Sequence, residues 1–231
     1  VRLDKVLQSQ GFGSRKDCRL LVNTGRVRVQ GSLSDDPDAE VPLEGLSVEV
    51  DGTTWTCRER LYVALHKPVG FECSHAPTHH RSVFELVPPF FVARGVQTVG
   101  RLDADTTGLL LLSDDGAFIQ QHTSPKRKVP KVYEVTCAEP VNDAQLEQLG
   151  RGVVLADDPV PTSGLAERVD SVRVRLTISE GRYHQVRRML AAVGQHVTAL
   201  HRVSVGALIL PAELEPGAWR IIEPAQVAPG A

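Results

Sequence analysis

The sequence predicts an α+β protein in two unequal parts: a small helical module with its linker over residues 1–58, and a larger domain on a central sheet over 59–231. Three observations carry this. Short apolar runs of strand character alternate along the chain with capped segments of helical period. Cations crowd the first thirty positions and acids the next twenty, a charge pattern that sets this stretch apart from the rest. The length, 231 residues, and the composition, 42% hydrophobic and 23% charged, suit a soluble globular protein able to bury a core.

Leu3, Val6 and Leu7 recur at helical spacing, with Arg2, Lys5 and Ser9 on another face, and Gly11-Phe12-Gly13 ends this first helix. Ser14 with Asp17 has the form of a capping box. It opens a second helix with the stripe Cys18, Leu21 and Val22, stopped at Gly25, and places Arg15 and Arg19 on one face. Val27 and Val29 then alternate with Arg26, Arg28 and Gln30 as a strand ending at Gly31. Asp51 to Arg60 reads as the connection to the larger domain.

The net charge of −2 excludes a protein that coats nucleic acid indiscriminately, but it hides an uneven distribution. Arg2, Lys5, Arg15, Lys16, Arg19, Arg26 and Arg28 are opposed locally only by Asp4 and Asp17; the following stretch carries Asp35, Asp36, Asp38, Glu40, Glu44, Glu49 and Asp51. Opposite fields at the two ends of this region are therefore expected. Charge alone leaves a solvated face and a phosphate-binding surface equally open. The order of residues narrows it: Arg2-Leu3-Asp4-Lys5-Val6-Leu7, Ser14-Arg15, Gly25-Arg26-Val27 and Val29-Gln30-Gly31 closely resemble the S4 domain, an RNA-binding module. That resemblance implies RNA contacts from Arg2, Lys5, Ser14, Arg15, Arg19 and Arg26.

In the larger part, strands are expected over 61–65, 96–99, 109–112, 132–136 and 172–178. Asn142 with Gln145 caps a helix carrying Leu146 and Leu149 and stopped by Gly150; Val186, Met189, Leu190 and Val193 mark another, ended near Gly194. Asp114-Asp115-Gly116 is a turn into a helix over Ala117 to Gln121. No phosphate-loop or dinucleotide glycine pattern occurs. The most unusual stretch is Gly100-Arg101-Leu102-Asp103-Ala104-Asp105-Thr106-Thr107-Gly108, a polar loop between two apolar runs. By spacing alone it is either an elaborate turn or an active site.

Four stretches together resemble the pseudouridine synthases, in the branch that modifies ribosomal RNA. They are His66-Lys67-Pro68-Val69-Gly70, the Gly100 to Leu109 loop, Lys131-Val132-Tyr133-Glu134-Val135, and Glu180-Gly181-Arg182-Tyr183-His184-Gln185-Val186-Arg187-Arg188-Met189. The resemblance implies a mixed, mainly antiparallel sheet and an isomerase without a cofactor. It implies Asp103 as the essential carboxylate, acting as nucleophile or sugar-proton base, and Arg187 as the cation paired with it. Tyr133 would stack on the extruded uracil with Leu190 packed beside it, and Arg101, Lys131 and Arg182 would contact RNA. Patterning places Arg187 toward the core and Arg188 further toward solvent. Lys126-Arg127-Lys128 and Lys131, taken as one basic run, read equally as phosphate contacts or as a solvated loop.

Along its whole length the chain most resembles the members acting on 16S ribosomal RNA, which implies uridine 516 as target and that RNA, or a small-subunit assembly intermediate, as partner. The alternatives are a 23S-directed member of the family and a non-catalytic assembly factor. A monomer is expected. The longest apolar stretch, Leu109 to Leu112, is far too short to span a membrane and no secretory signal is visible, so the expected location is the cytoplasm. Cys18, Cys57, Cys73 and Cys137 lack the spacing of a disulfide or zinc framework, and the group Cys73, His75, His79 and His80 reads as a loop rather than a metal site.

Overall fold

The computed structural model describes residues 1–228. It divides into two compact units: one comprises Val1–Leu61, Val87–Gln97 and Ser113–Asp115, the other Tyr62–Leu86, Thr98–Leu112 and the chain from Gly116 onward.

In the first unit α1 (Leu3–Ser9) buries Leu3, Val6 and Leu7, and α2 (Arg15–Asn23) buries Cys18, Leu21 and Val22, as their spacing requires. The Ser14 and Asp17 capping box opens α2, each partner satisfying a donor that the first turn leaves free. Four antiparallel strands follow, β1 (Val27–Val29), β2 (Ser32–Leu33), β3 (Ser47–Val50) and β4 (Thr53–Thr56), in the order β2-β1-β3-β4. The segment expected to be a connection thus supplies a strand. Asp51 and Gly52 both take positive φ, 49° and 80°, and turn β3 back on itself so that Trp55 and Cys57 enter the core. Helix α3 (Pro89–Ala93) belongs to this unit. Trp55 lies edge-on to Phe90 and Phe91 at 5.1 and 5.4 Å, and Phe12 stacks on Phe90. Arg94, nearly buried, donates to Asp114 at 2.6 Å and to Gln10 at 2.7 Å. Asp114 also accepts the Leu61 N–H, so the residue read as a simple turn is a buried tie as well.

The second unit contains β5 (Tyr62–Lys67), the short parallel pair β6 (Phe71–Glu72) and β7 (Arg81–Ser82), β8 (Gln97–Val99), β9 (Thr106–Ser113) and α4 (Gly116–Thr123). After β10 (Lys131–Cys137) come α5 (Asp143–Arg151), β11 (Val153–Leu155), β12 (Asp158–Thr162), β13 (Leu165–Arg168) and β14 (Arg173–Ile178). Helix α6 (Gln185–Ala192), β15 (Val197–Val205), β16 (Leu208–Ile209) and β17 (Trp219–Ile221) complete it. The main sheet has the order β13-β14-β10-β15-β9-β5-β17, with β16 on β15 and β8 on β9. Pairing is antiparallel from β13 to β15 and between β5 and β17, and parallel between β15 and β9. This is the mixed, mainly antiparallel sheet expected. Leu109 and Leu111 pack with Ala64, Phe118, Val205 and Ile222 in a core that anchors its centre.

Boundaries differ from expectation at several elements, and two of the shifts have a clear physical cause. Helix α5 runs past Gly150 to Arg151 and ends at Gly152, whose φ of 120° only glycine adopts readily. Strand β9 begins at Thr106, three residues before the apolar run, because Thr106, Thr107 and Gly108 pair with Leu200, His201 and Arg202. A Cβ at Gly108 would lie 2.2 Å from the Arg202 carbonyl oxygen, so only glycine permits this close approach.

Candidate active site

A cleft of about 490 Å³ opens in the second unit, walled by the Gly100 to Ala104 loop, β10, the Gly181 to Arg187 segment, β15 and Glu72 to Ser74. The loop carrying Asp103 is tied from several sides. Lys67, fully buried at the end of β5, donates its ammonium protons to the carbonyls of Pro68, Ala104 and Thr106 at 3.1, 3.2 and 2.7 Å. The Gly70 N–H donates to the Ala104 carbonyl, and the Leu102 N–H to Cys73 Sγ. His75 meanwhile stacks on Phe84, so these members of the Cys73 to His80 group are turned to separate tasks. The Lys-Pro-x-Gly stretch therefore positions the Asp103 loop by hydrogen bonding its backbone oxygens.

Asp103, Tyr133 and Arg187 all line this cleft. The expected pairing of Arg187 with Asp103 is not what forms. Arg187 donates to the Val197 carbonyl and to Asp105 at 2.8 Å, while Asp103 Oδ1 lies 3.1 Å from Nε2 of His184. The β15 carbonyl fixes the guanidinium where its fork meets the outer carboxylate, and His184, the residue preceding α6, meets the inner one. Exposure does not separate Arg187 from Arg188 either, at 23% and 20% of their side chains. Their partners do: Arg188 holds Asp157 and the Tyr183 carbonyl.

Three further expected contact residues are placed as follows. Arg182 borders the cleft, and its guanidinium bonds Asp158, Glu180 and the Val160 carbonyl, tying the β11–β12 hairpin. Leu190 is fully buried in α6 and forms no part of the cleft wall; Leu200 of β15 supplies the apolar surface instead. Ser14 is engaged as a helix cap. Arg101 stands exposed at the cleft margin, and Lys126, Arg127 and Lys128 are exposed.

Sequence reading missed a buried arginine on the cleft wall. Arg202, 2% exposed, faces Tyr133 across the β10–β15 pair; its Nη1 lies 3.5 Å from the Tyr133 hydroxyl and its Nε donates to the Leu109 carbonyl. Nη2 is buried without a partner, and no carboxylate pairs with Arg202 among the described residues. The signal was present: Leu200 and Arg202 are two apart on one strand, and so share a face. Lys131 joins it on the wall, burial and the nearby Arg202 lowering its ammonium to about 8. Burial likewise pushes Lys67 down, against the pull of Cys73, Asp105 and Asp103. The cleft thus presents buried cations with carbonyls or nothing opposite them, an arrangement suited to an anion or to a group that becomes one.

The basic module has a different electrostatic character from that expected. Asp4, fully buried, accepts on one oxygen from Arg2, Arg15 and Arg19 at 2.8, 3.0 and 2.9 Å. Burial alone would raise its carboxyl, but these hydrogen bonds more than reverse that and hold it well below the usual carboxylate range. Asp38 returns to Arg2 and Arg19, and Asp51 pairs with Arg26. Part of the acidic stretch, through Asp38 and Asp51, therefore folds back onto the basic one. Lys5 is exposed.

A carboxylate, an aromatic ring and cations lining one cleft suit an RNA-modifying enzyme of the pseudouridine synthase class. The comparisons agree: a family described as RNA pseudouridylate synthase matches residues 61–192, and the S4 domain matches 1–45. The chain belongs to the RNA pseudouridine synthases and carries an S4 domain ahead of the catalytic region. It is 39% identical to the ribosomal small subunit pseudouridine synthase A of Escherichia coli (strain K12), over 99% of each chain. It is 37% identical to an RNA pseudouridine synthase of Aquifex aeolicus, over 95% of this chain and 92% of that one. A crystal structure of a pseudouridylate synthase superposes with a TM-score of 0.69 at 33% identity, covering 98% of both. No described helix is long and apolar enough to cross a membrane.

Proposed function

We propose that this enzyme isomerises one uridine of 16S ribosomal RNA, uridine 516, to pseudouridine, acting as a cytoplasmic monomer without a cofactor on the RNA or on a small-subunit assembly intermediate. The full-length similarity to proteins named ribosomal small subunit pseudouridine synthase A carries the address. The S4 unit at 1–58 would supply affinity and the remainder the chemistry.

The reaction breaks the bond from C1′ to N1, turns the uracil, joins C5 to C1′ and releases the C5 proton while N1 takes one up. Asp103 serves either as nucleophile at C1′, expelled again when C5 attacks, or as base for a sugar proton that it returns as C5 adds; in both cases one carboxylate oxygen lies against the ribose. The departing base takes the bonding electron pair with it. Arg202 and Lys131 stand on the cleft wall with Tyr133, where they would hold that charge and the ring would stack on the extruded uracil.

The test is a primer-extension map of pseudouridine after treating 16S and 23S transcripts, and particles containing them, with the protein. Modification at position 516 of 16S RNA alone is the expected result. Modification in 23S RNA alone moves the enzyme to the large-subunit branch, and none in any substrate leaves an RNA-binding assembly factor.

A further inference from the structure

We propose that the stacked Tyr183 and His184 rings form a binding site for a nucleobase next to the target uridine, and that this platform is registered to the reacting carboxylate through His184. The proposal rests on the reading of the cleft as a uridine-isomerising site.

Tyr183 is 70% exposed although it lines the cleft, and its ring lies 3.8 Å from that of His184, within 17° of parallel. One face is covered by imidazole; the exposure belongs to the rest of the ring. A large aromatic group left open to water beside a nucleic-acid cleft offers a flat surface of the size and polarity that a base stacks on.

The platform is also held rigidly. His184 adopts φ 47° and ψ 34°, the left-handed region that non-glycine residues rarely occupy, and its Nε2 lies 3.1 Å from Asp103 Oδ1. The Tyr183 carbonyl accepts from Arg188, itself tied to Asp157. Gln185, immediately after the pair, accepts the Arg182 N–H and donates to Thr162. A base stacked on Tyr183 therefore stands at a fixed offset from Asp103, with the imidazole between them. Nothing in the isomerisation itself requires a second aromatic surface besides Tyr133, so this one serves the flanking sequence.

The experiment uses the full-length protein and a 16S fragment spanning the modified uridine, with tritium release from C5 as readout. Wild-type turnover on that fragment establishes the underlying reading before any variant is compared. Tyr183→Phe should match wild type within about twofold, whereas Tyr183→Ala should raise KM roughly tenfold and leave kcat at saturating RNA within about twofold. Abasic substitutions placed one at a time on either side of the target supply the partner mutation. Wild type should lose affinity at one flanking position, and Tyr183→Ala should be indifferent there. Because the side chain is mostly exposed, thermal melting of the variants should be unchanged. An unchanged KM in Tyr183→Ala, or equal sensitivity of both proteins to every abasic position, overturns the proposal.

Discussion

The buried charges of the two units are handled in opposite ways. Around Asp4 three guanidiniums converge on one carboxylate, with Asp38 closing the outside, so each charge meets its opposite within the chain. Around the cleft, Lys67 meets only carbonyls, Arg202 has a buried nitrogen with no partner, and Asp103 has an imidazole where an arginine was expected. In the first arrangement the charges offset one another without a ligand, although Asp4 Oδ1 and Arg2 Nε are left without hydrogen-bond partners. In the second the buried cations meet no carboxylate among the described residues, and that lack is the feature a reactant can use.

The sharpest way to break this contrast is at Asp103. Asparagine keeps its shape but is neither nucleophile nor base, so Asp103→Asn should lower turnover by on the order of 10⁴ or more while RNA binding is retained. Asp105→Asn removes the partner of Arg187 and should slow the enzyme by no more than roughly tenfold. Tritium release compares the two directly; the reverse ranking would sink the choice of carboxylate.

Asp4→Asn should cost stability rather than chemistry. Leaving three guanidiniums against a neutral amide is expected to lose about 2–4 kcal/mol in urea unfolding, less than a fully buried pair because the arginines are a third to a half exposed. The sign with pH follows from a folded pKa below the unfolded one. The contribution is complete above the ordinary carboxylate range and is lost as pH falls through it toward the folded value. Wild type and variant should therefore converge in stability at low pH.

Arg202→Met is the converse. Removing an uncompensated buried cation should leave the melting temperature unchanged or higher, yet reduce kcat by about a hundredfold, the loss typical of one charge-stabilising donor. A lower melting temperature with normal kcat would make Arg202 a structural residue. The smallest effect belongs to Lys131, which is cationic below about pH 8 and neutral above it. If its charge assists RNA, kcat/KM falls as pH rises through 8, and Lys131→Met lowers kcat/KM a few-fold and flattens that limb.

What could be read from sequence was local. The boxes at Ser14 with Asp17 and at Asn142 with Gln145 lie three residues apart, and both form as written. The stripes of α1, α2 and α6 bury as their period requires. The Asp103 loop and Tyr133 were identifiable as parts of a motif, and they line one cleft. What escaped depends on long-range packing. Arg187 meets Asp105 across 82 positions, and Arg15 and Arg19 reach Asp4 only after two helices dock. No spacing rule chooses between Asp103 and Asp105 for that arginine. Strand β4 was a different failure: Asp51-Gly52 is a strong hairpin signal, but the polar Thr53, Thr54 and Thr56 concealed it.

The make-up of the first unit bears on the order in which the protein is made. Trp55 is covered by Phe90 and Phe91, and Gln10 and Asp114 are joined by Arg94, so the aromatic seal and the buried ion pair of this unit come from residues 90 to 114. A ribosome that has reached Leu61 has supplied α1, α2 and the four strands but none of these closing pieces. At ordinary elongation rates the nascent unit waits roughly three to ten seconds for them. During that interval Trp55 lacks its covering rings, and the intervening residues 62–86 must emerge without the partners that complete their own sheet. The first unit to begin folding is thus not finished first by translation alone, and the chain is tied into one product of synthesis before half of it exists.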